Sequence, residues 1–179
     1  MTAILTSELS PQLVINELSW TRLKLIQTNL DRLGIRRVPQ LLSDGTQLPF
    51  ADQSFHRVLL DVPCSSSGTL KKNPDIKWAE HQEALLRQVP IQRQLLSEGA
   101  RVLQKGGILI YVTCSLESEE NEEQMSWFLD QHLEFQCLPF NQLPLVPESV
   151  LARLTPEGYY QCLPQEGMMG LFAALLHRN

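Results

Sequence analysis

Short unbroken apolar runs alternate along the chain with longer stretches in which apolar residues recur every three or four positions. Val58-Leu59-Leu60 and Ile108-Leu109-Ile110 are runs of the first kind. Each is bounded by turn residues, the pattern of fully buried parallel strands. We therefore predict strands at Arg57–Leu60 and Ile108–Val112. Leu13-Val14-Ile15-Asn16 reads as an earlier strand ending at Glu17, and Val38–Leu42 as a weaker one interrupted by Pro39. Leu23, Ile26, Leu30 and Leu33 form one face of a helix that Ser19 caps and Gly34 closes. Thr2–Leu9 reads as a short helix. Two helical pieces, Ala79–Gln88 and Pro90–Leu103, follow the second strand pair, with Pro90 suited to a first helical position. Gly106-Gly107 separates them from the next strand, and an acid-rich helix runs from Glu117 to Gln131. Phe135–Leu138, Tyr159–Leu163 and Leu171–Leu176 complete the pattern as closing strands between proline-rich loops. This β-α alternation predicts an α/β fold with a mostly parallel sheet.

Bulk properties narrow the function classes. With 179 residues, 43% of them hydrophobic, the chain can bury one core, so residues 1–179 are read as one domain. No stretch approaches the ~20 apolar residues of a membrane-spanning helix, and the start lacks the basic and apolar regions of a secretory signal. The four cysteines are far apart with no Cys-x-x-Cys pair, which suggests neither a metal site nor a disulfide framework. Free thiols suit a reducing, cytoplasmic setting. The net charge of −5 is wrong for a stand-alone nucleic-acid binder. Basic residues are local: Arg36 and Arg37 in a loop, and Lys71, Lys72 and Lys77 beside the first cysteine motif.

Both buried runs end in a cysteine. Asp61-Val62-Pro63-Cys64-Ser65-Ser66-Ser67-Gly68 follows one, and Tyr111-Val112-Thr113-Cys114-Ser115 continues the other. Ligands of open α/β sheets bind outside the carboxyl ends of the strands. If the two strands are neighbours, ~4.8 Å apart, both thiols face one crevice. Two thiols and a carboxylate there point to covalent chemistry on a poor electrophile. The plain alternative is a pair of ordinary buried thiols. A cysteine hydrolase lacks support, because no histidine lies in a recognisable nucleophile–base motif.

These blocks carry a resemblance. Asp-Val-Pro-Cys-Ser, then Lys71-Lys72-Asn73-Pro74-Asp75-Ile76-Lys77-Trp78, then Thr113-Cys114-Ser115 with Glu120-Asn121-Glu122, resemble the Sun-type RNA cytosine-5 methyltransferases. More narrowly they are similar to the bacterial enzymes acting on small-subunit ribosomal RNA. The resemblance implies a Rossmann-like fold using S-adenosylmethionine and an RNA substrate, rRNA or else tRNA. It makes Cys114 the nucleophile that adds to cytosine C6 and Cys64 an aid to product release. Asp61 would face the target base or the methionine end of the cofactor, Glu17 the ribose hydroxyls and Asp44 the adenine side. Lys72 and Lys77 would contact RNA, and Asn121 would support the catalytic loop.

Each role has a structural counterpart: a turn cap at Asp61, a solvated charge at Glu17, an Asp-Gly turn at Asp44, a solvated loop at Lys72–Lys77. Glu117, Glu119, Glu120, Glu122 and Glu123 read as helix N-terminal acids acting on the helix dipole. Cys137 and Cys162 read as core residues. Ser66 stands where the family has a glycine, and Met169 where it has an acid. The family's cofactor loop ends Gly-Gly-Lys-Thr, and Thr2 aligns with that last residue. The resemblance thus implies that the first strand, the glycine-rich loop and an RNA-binding domain are absent. An open slot is then expected between Leu13–Asn16 and Arg57–Leu60, with poor solubility or a complementary N-terminal chain to fill it. The alternative function is an inactive truncated or split-gene fragment that only associates with RNA or a partner chain.

Overall fold

The structure, a computed structural model, describes residues 13–35, 38–69, 78–144, 146–164 and 168–179, and residues 2–6 and 78–81 as backbone. Apolar runs and amphipathic segments fold into one sheet flanked by helices. The strands are β1 (Thr2–Thr6), β2 (Val14–Glu17), β3 (Gln40–Leu42), β4 (Phe55–Asp61), β5 (Leu103–Thr113), β6 (Phe135–Cys137), β7 (Tyr160–Cys162) and β8 (Leu171–Arg178). The helices are α1 (Trp20–Arg32), α2 (Trp78–Val102), α3 (Glu122–Gln131) and the one-turn α4 (Glu148–Leu151). The sheet has eight strands in the order β3-β2-β1-β4-β5-β8-β6, with β7 also on β8. Among these, β1 and β8 run against the other six.

β1 corrects two expectations. Of the helix expected over Thr2–Leu9, the described part, Thr2–Thr6, is a strand, and it lies in the slot expected to stand open; residues 7–9 lie outside the described residues. It pairs antiparallel with β2 (Ile4 opposite Ile15) and with β4 (Ile4 opposite Leu59). The ladder groups that an open slot would expose are therefore bonded, which removes the edge-strand reason for expecting poor solubility.

Central burial follows the apolar runs. Val58, Leu60, Leu109 and Tyr111 of β4 and β5 pack with Leu95 and Leu96 of α2, Phe128 of α3, and Phe172 and Leu176 of β8. Helix α1 begins as expected: the Ser19 hydroxyl accepts the Arg22 N–H at 3.4 Å, and Gly34 follows the helix at φ +71°. Pro90 does not start a second helix. It sits inside a continuous 25-residue α2, because Leu95, Leu96 and Ala100 on one side of that helix bury against the sheet and hold it together through the proline. The glycine pair does not precede the next strand either: β5 already pairs at Leu103 with Phe55, and the register shifts around Gly106, at φ +74°. The acid-rich segment breaks into a 3-10 turn, Ser118–Glu120, and then α3. The physical reason is that Glu120 and Asn121 turn inward instead of lining a helix surface.

Candidate active site

Because β2, β3, β4 and β5 share a direction, their carboxyl ends bring Glu17, Asp44, Asp61, Cys64 and Cys114 to one edge of the sheet. The two thiols meet. Cys64 Sγ lies 2.9 Å from Cys114 Sγ, and the Cys114 N–H points at Cys64 Sγ from 3.4 Å. Ser66 Oγ is 3.4 Å from Cys114 Sγ. The Cys64 S–H stabilises a Cys114 thiolate, which brings Cys114 down to about 6 against the opposing effect of burial. Sharing that proton and burial push Cys64 strongly upward. One site therefore holds a thiolate and a thiol together near neutral pH. Asp61 ends β4 beside them. It is exposed as a residue, yet desolvation at its carboxyl raises its pKa above the ordinary value.

The turn carrying Cys64 is held against the segment carrying Cys114 by backbone. Gly68 N–H donates to the Cys114 carbonyl at 3.0 Å, and Gly170 N–H to the Gly68 carbonyl at 2.8 Å. A Cβ on Gly68 would stand 2.7 Å from the Cys114 carbonyl oxygen, so a side chain has no room there. Ser66 adopts φ +61°, the left-handed conformation that explains why glycine suits its position.

Glu17 and Asp44 line a neighbouring cavity of about 420 Å³ with Arg22, Pro63, Gln88 and Ile91. Glu17 is buried, and its carboxylate accepts the Ser19 N–H at 2.9 Å. Burial works to raise its pKa, but the Ser19 bond and nearby positive charge, Arg22 included, leave it lowered. Asp44 accepts the backbone N–H and hydroxyl of Thr46 at 2.9 and 2.8 Å, and these bonds lower its pKa. The turn role foreseen for Asp44 is thus real, and it coexists with a place on the cavity wall. Lys72 and Lys77 lie outside the described residues.

Sequence reasoning singled out Asn121 as a support for the catalytic loop but missed the rest of the polar layer beneath the thiols. Glu120, Gln92, Asn121 and Gln124 are each 0% exposed. Asn121 takes the Thr113 hydroxyl at 2.6 Å and donates to the Ser115 carbonyl at 3.0 Å, bracketing Cys114. Ser65 and Ser67 hydroxyls reach that of Ser115 at 3.2 and 3.3 Å, linking the two cysteine segments. One signal was available: the small polar run Ser65-Ser66-Ser67 and Ser115 beside apolar strands could bury only with partners.

The Rossmann-like sheet, with a thiol pair at its carboxyl edge beside a cavity of about 420 Å³, has the α/β fold of methyltransferases. The sequence profile of 16S rRNA methyltransferase RsmB/F matches residues 2–177, and the chain belongs to that family. It is 34% identical over 154 residues to ribosomal RNA small subunit methyltransferase F of Enterobacter sp. (strain 638), covering 86% of this chain and 32% of that protein. The chain thus spans about a third of the length of the curated relatives it matches. Among solved structures, PH0851 superposes with a TM-score of 0.79 at 34% identity, over 91% of this chain and 36% of that one. A methyltransferase homologue from Pyrococcus horikoshii gives 0.68 at 29%, over 92% and 52%.

Proposed function

We propose that this chain is the catalytic portion, residues 1–179, of an S-adenosylmethionine-dependent methyltransferase that modifies C5 of cytosine in RNA, ribosomal RNA before tRNA. The observation that carries the reading is the thiol pair, 2.9 Å apart, at the carboxyl edge of the sheet. The names of the curated relatives support the ribosomal substrate.

The neighbouring cavity fits the nucleoside end of the cofactor. Its volume falls within the ~300–1,000 Å³ of small-molecule sites. Gln88 Oε1 on its wall is buried without a hydrogen-bond partner among the described residues, an acceptor suited to an exocyclic amine. Glu17 would take the ribose hydroxyls and Asp44 the adenine side. S-adenosylmethionine, when bound, supplies a methyl group on sulfonium.

Cytosine C5 is too weak a nucleophile to accept that group unaided. The Cys114 thiolate forms a bond to C6, and the C5=C6 π pair shifts to make C5 an enamine carbon. Asp61, whose carboxyl is desolvated, would face N3 and exchange a proton with it as this happens. Once C5 carries the methyl group, water takes its proton and the C–H electron pair re-forms the C5=C6 bond. The Cys114–C6 bond breaks with its pair returning to the Cys114 sulfur, while N3 gives its proton back to Asp61. Cys64, kept as a thiol beside Cys114, assists that release by donating a hydrogen bond to the departing Cys114 thiolate. Lys72 and Lys77 would contact RNA phosphates. An inactive fragment that only associates with RNA or a partner chain is the competing reading.

The test uses 16S rRNA and millimolar S-adenosylmethionine. Cys64→Ala should accumulate a denaturation-resistant protein–RNA adduct, and Cys114→Ala should give neither adduct nor methylation. Adduct formation by Cys114→Ala would reverse the two roles, and no methyl transfer by the unmodified chain would favour the inactive fragment.

A further inference from the structure

Cys64 is flanked by two residues gripped from below. The fully buried Glu120 carboxylate accepts the Ser65 N–H at 2.9 and 3.1 Å and the Ser65 hydroxyl at 2.6 Å. The Gln92 amide, also fully buried, donates to Glu120 Oε1 at 3.0 Å and to the Pro63 carbonyl at 2.9 Å. Glu120 itself is fixed by the Tyr111 hydroxyl, which donates to its backbone carbonyl at 2.7 Å. None of these groups touches Cys64 Sγ, yet the residues before and after Cys64 are both clamped. The clamp stands on β5, on α2 and on the turn leading into α3, all rigid parts of the core.

We infer that Glu120, acting with Gln92, is a positioning residue that holds Cys64 within proton-sharing distance of Cys114 and so sets the reactivity of the Cys114 thiol. A carboxylate suits the place because it only accepts, and it meets three donors: the Ser65 N–H, the Ser65 O–H and the Gln92 amide. A glutamine at 120 would keep the shape but turn an N–H₂ toward one of those donors. A donor–donor clash would then replace one of the bonds that fix the Cys64 turn, and the turn would shift. A hydrogen bond weakens steeply as its angle departs from linear, so the contact between the two sulfurs is sensitive to that shift. The inference rests on Cys114 being the reactive thiol, though not on the identity of its substrate.

The experiment is alkylation of Cys114 by iodoacetamide across pH, read by mass spectrometry on the whole chain, with no RNA or cofactor present. Glu120→Gln should raise the midpoint of the profile by a pH unit or more, so that labelling in the rising part of the profile slows about tenfold. Cys64→Ala should raise it as well, and the double variant should show no further rise, because both changes remove the same contact. An unchanged midpoint in a folded Glu120→Gln protein, or full additivity with Cys64→Ala, overturns the inference. If Glu120→Gln lacks a cooperative thermal transition, Ser65→Ala, which removes only the 2.6 Å bond, enters the same cycle with the same two outcomes. Failure of RNA methylation would leave this result standing, so the two proposals fail separately.

Discussion

Ser66 combines a cost and a use at one position. Its φ of +61° is strained for a residue with a Cβ, while its hydroxyl lies 3.4 Å from Cys114 Sγ. Ser66→Gly should therefore stabilise the fold by ~1 kcal/mol, measured by thermal denaturation. The same change removes a hydroxyl that favours the Cys114 thiolate, so the alkylation profile should move to higher pH. The sign follows from the thiol: with Cys114 near 6, thiolate predominates above that pH and is lost below it. A stabilised protein with an unshifted profile would mean that the hydroxyl does not act on the sulfur. Glu120 shows how misleading a local pattern can be at this scale. In sequence it is one of five acids at a helix start; in space it alone is withdrawn beneath the Cys64 turn, where backbone and side-chain donors replace water.

At the scale of elements, Pro90 and β1 stand out. Pro90 is exposed and interrupts the hydrogen-bond ladder of α2, lacking the N–H that would reach the Leu86 carbonyl. Pro90→Ala should stabilise the protein by ~1–3 kcal/mol and raise the melting midpoint by about 2–4 °C per kcal/mol. A lower midpoint would mean that the helix is bent to fit its neighbours at this point. β1 lies between β2 and β4 and bonds to both, so the chain should unfold in a single cooperative thermal transition. Ile4→Pro deletes a ladder donor there and should cost on the order of 1–3 kcal/mol, seen as a lower midpoint in calorimetry. No change on that substitution would indicate that β1 contributes nothing to the sheet in solution.

For the whole molecule, strand direction decides what the crevice can bind. Thr2 is opposite both Glu17 and Asp61, so β1 starts at the ligand edge and runs away from it. Among the described residues, no helix N-terminus follows β1 at that edge to receive an anionic group. On the function proposed above, Glu17 and Asp44 would form the nucleoside wall, and the described residues offer no such support for the cofactor's other end. Isothermal calorimetry should accordingly show weak binding of S-adenosylmethionine by the 179-residue chain; micromolar affinity would reveal another wall. No described helix is long and apolar enough to cross a membrane, and the described residues hold no cluster of metal-ligating side chains.

Strand and helix locations were legible in the amino-acid order because burial imposes periodicity. Unbroken apolar runs marked β4 and β5, and a helical apolar face with a Ser19 cap marked α1. The ends of two such strands located Cys64 and Cys114, since a parallel sheet gathers its carboxyl ends at one edge. Sequence could not assign Thr2–Thr6, whose five residues have a state set by the two strands that receive them and not by local preference. Nor could it foresee one helix across Pro90, where packing of Leu95, Leu96 and Ala100 outweighs a broken backbone bond. The sulfur–sulfur distance and the grip of Glu120 on Ser65 belong to tertiary structure alone. Cys64 and Cys114 are 50 residues apart, as are Ser65 and Ser115, and only the pairing of β4 with β5 gives each thiol the partner that determines its chemistry.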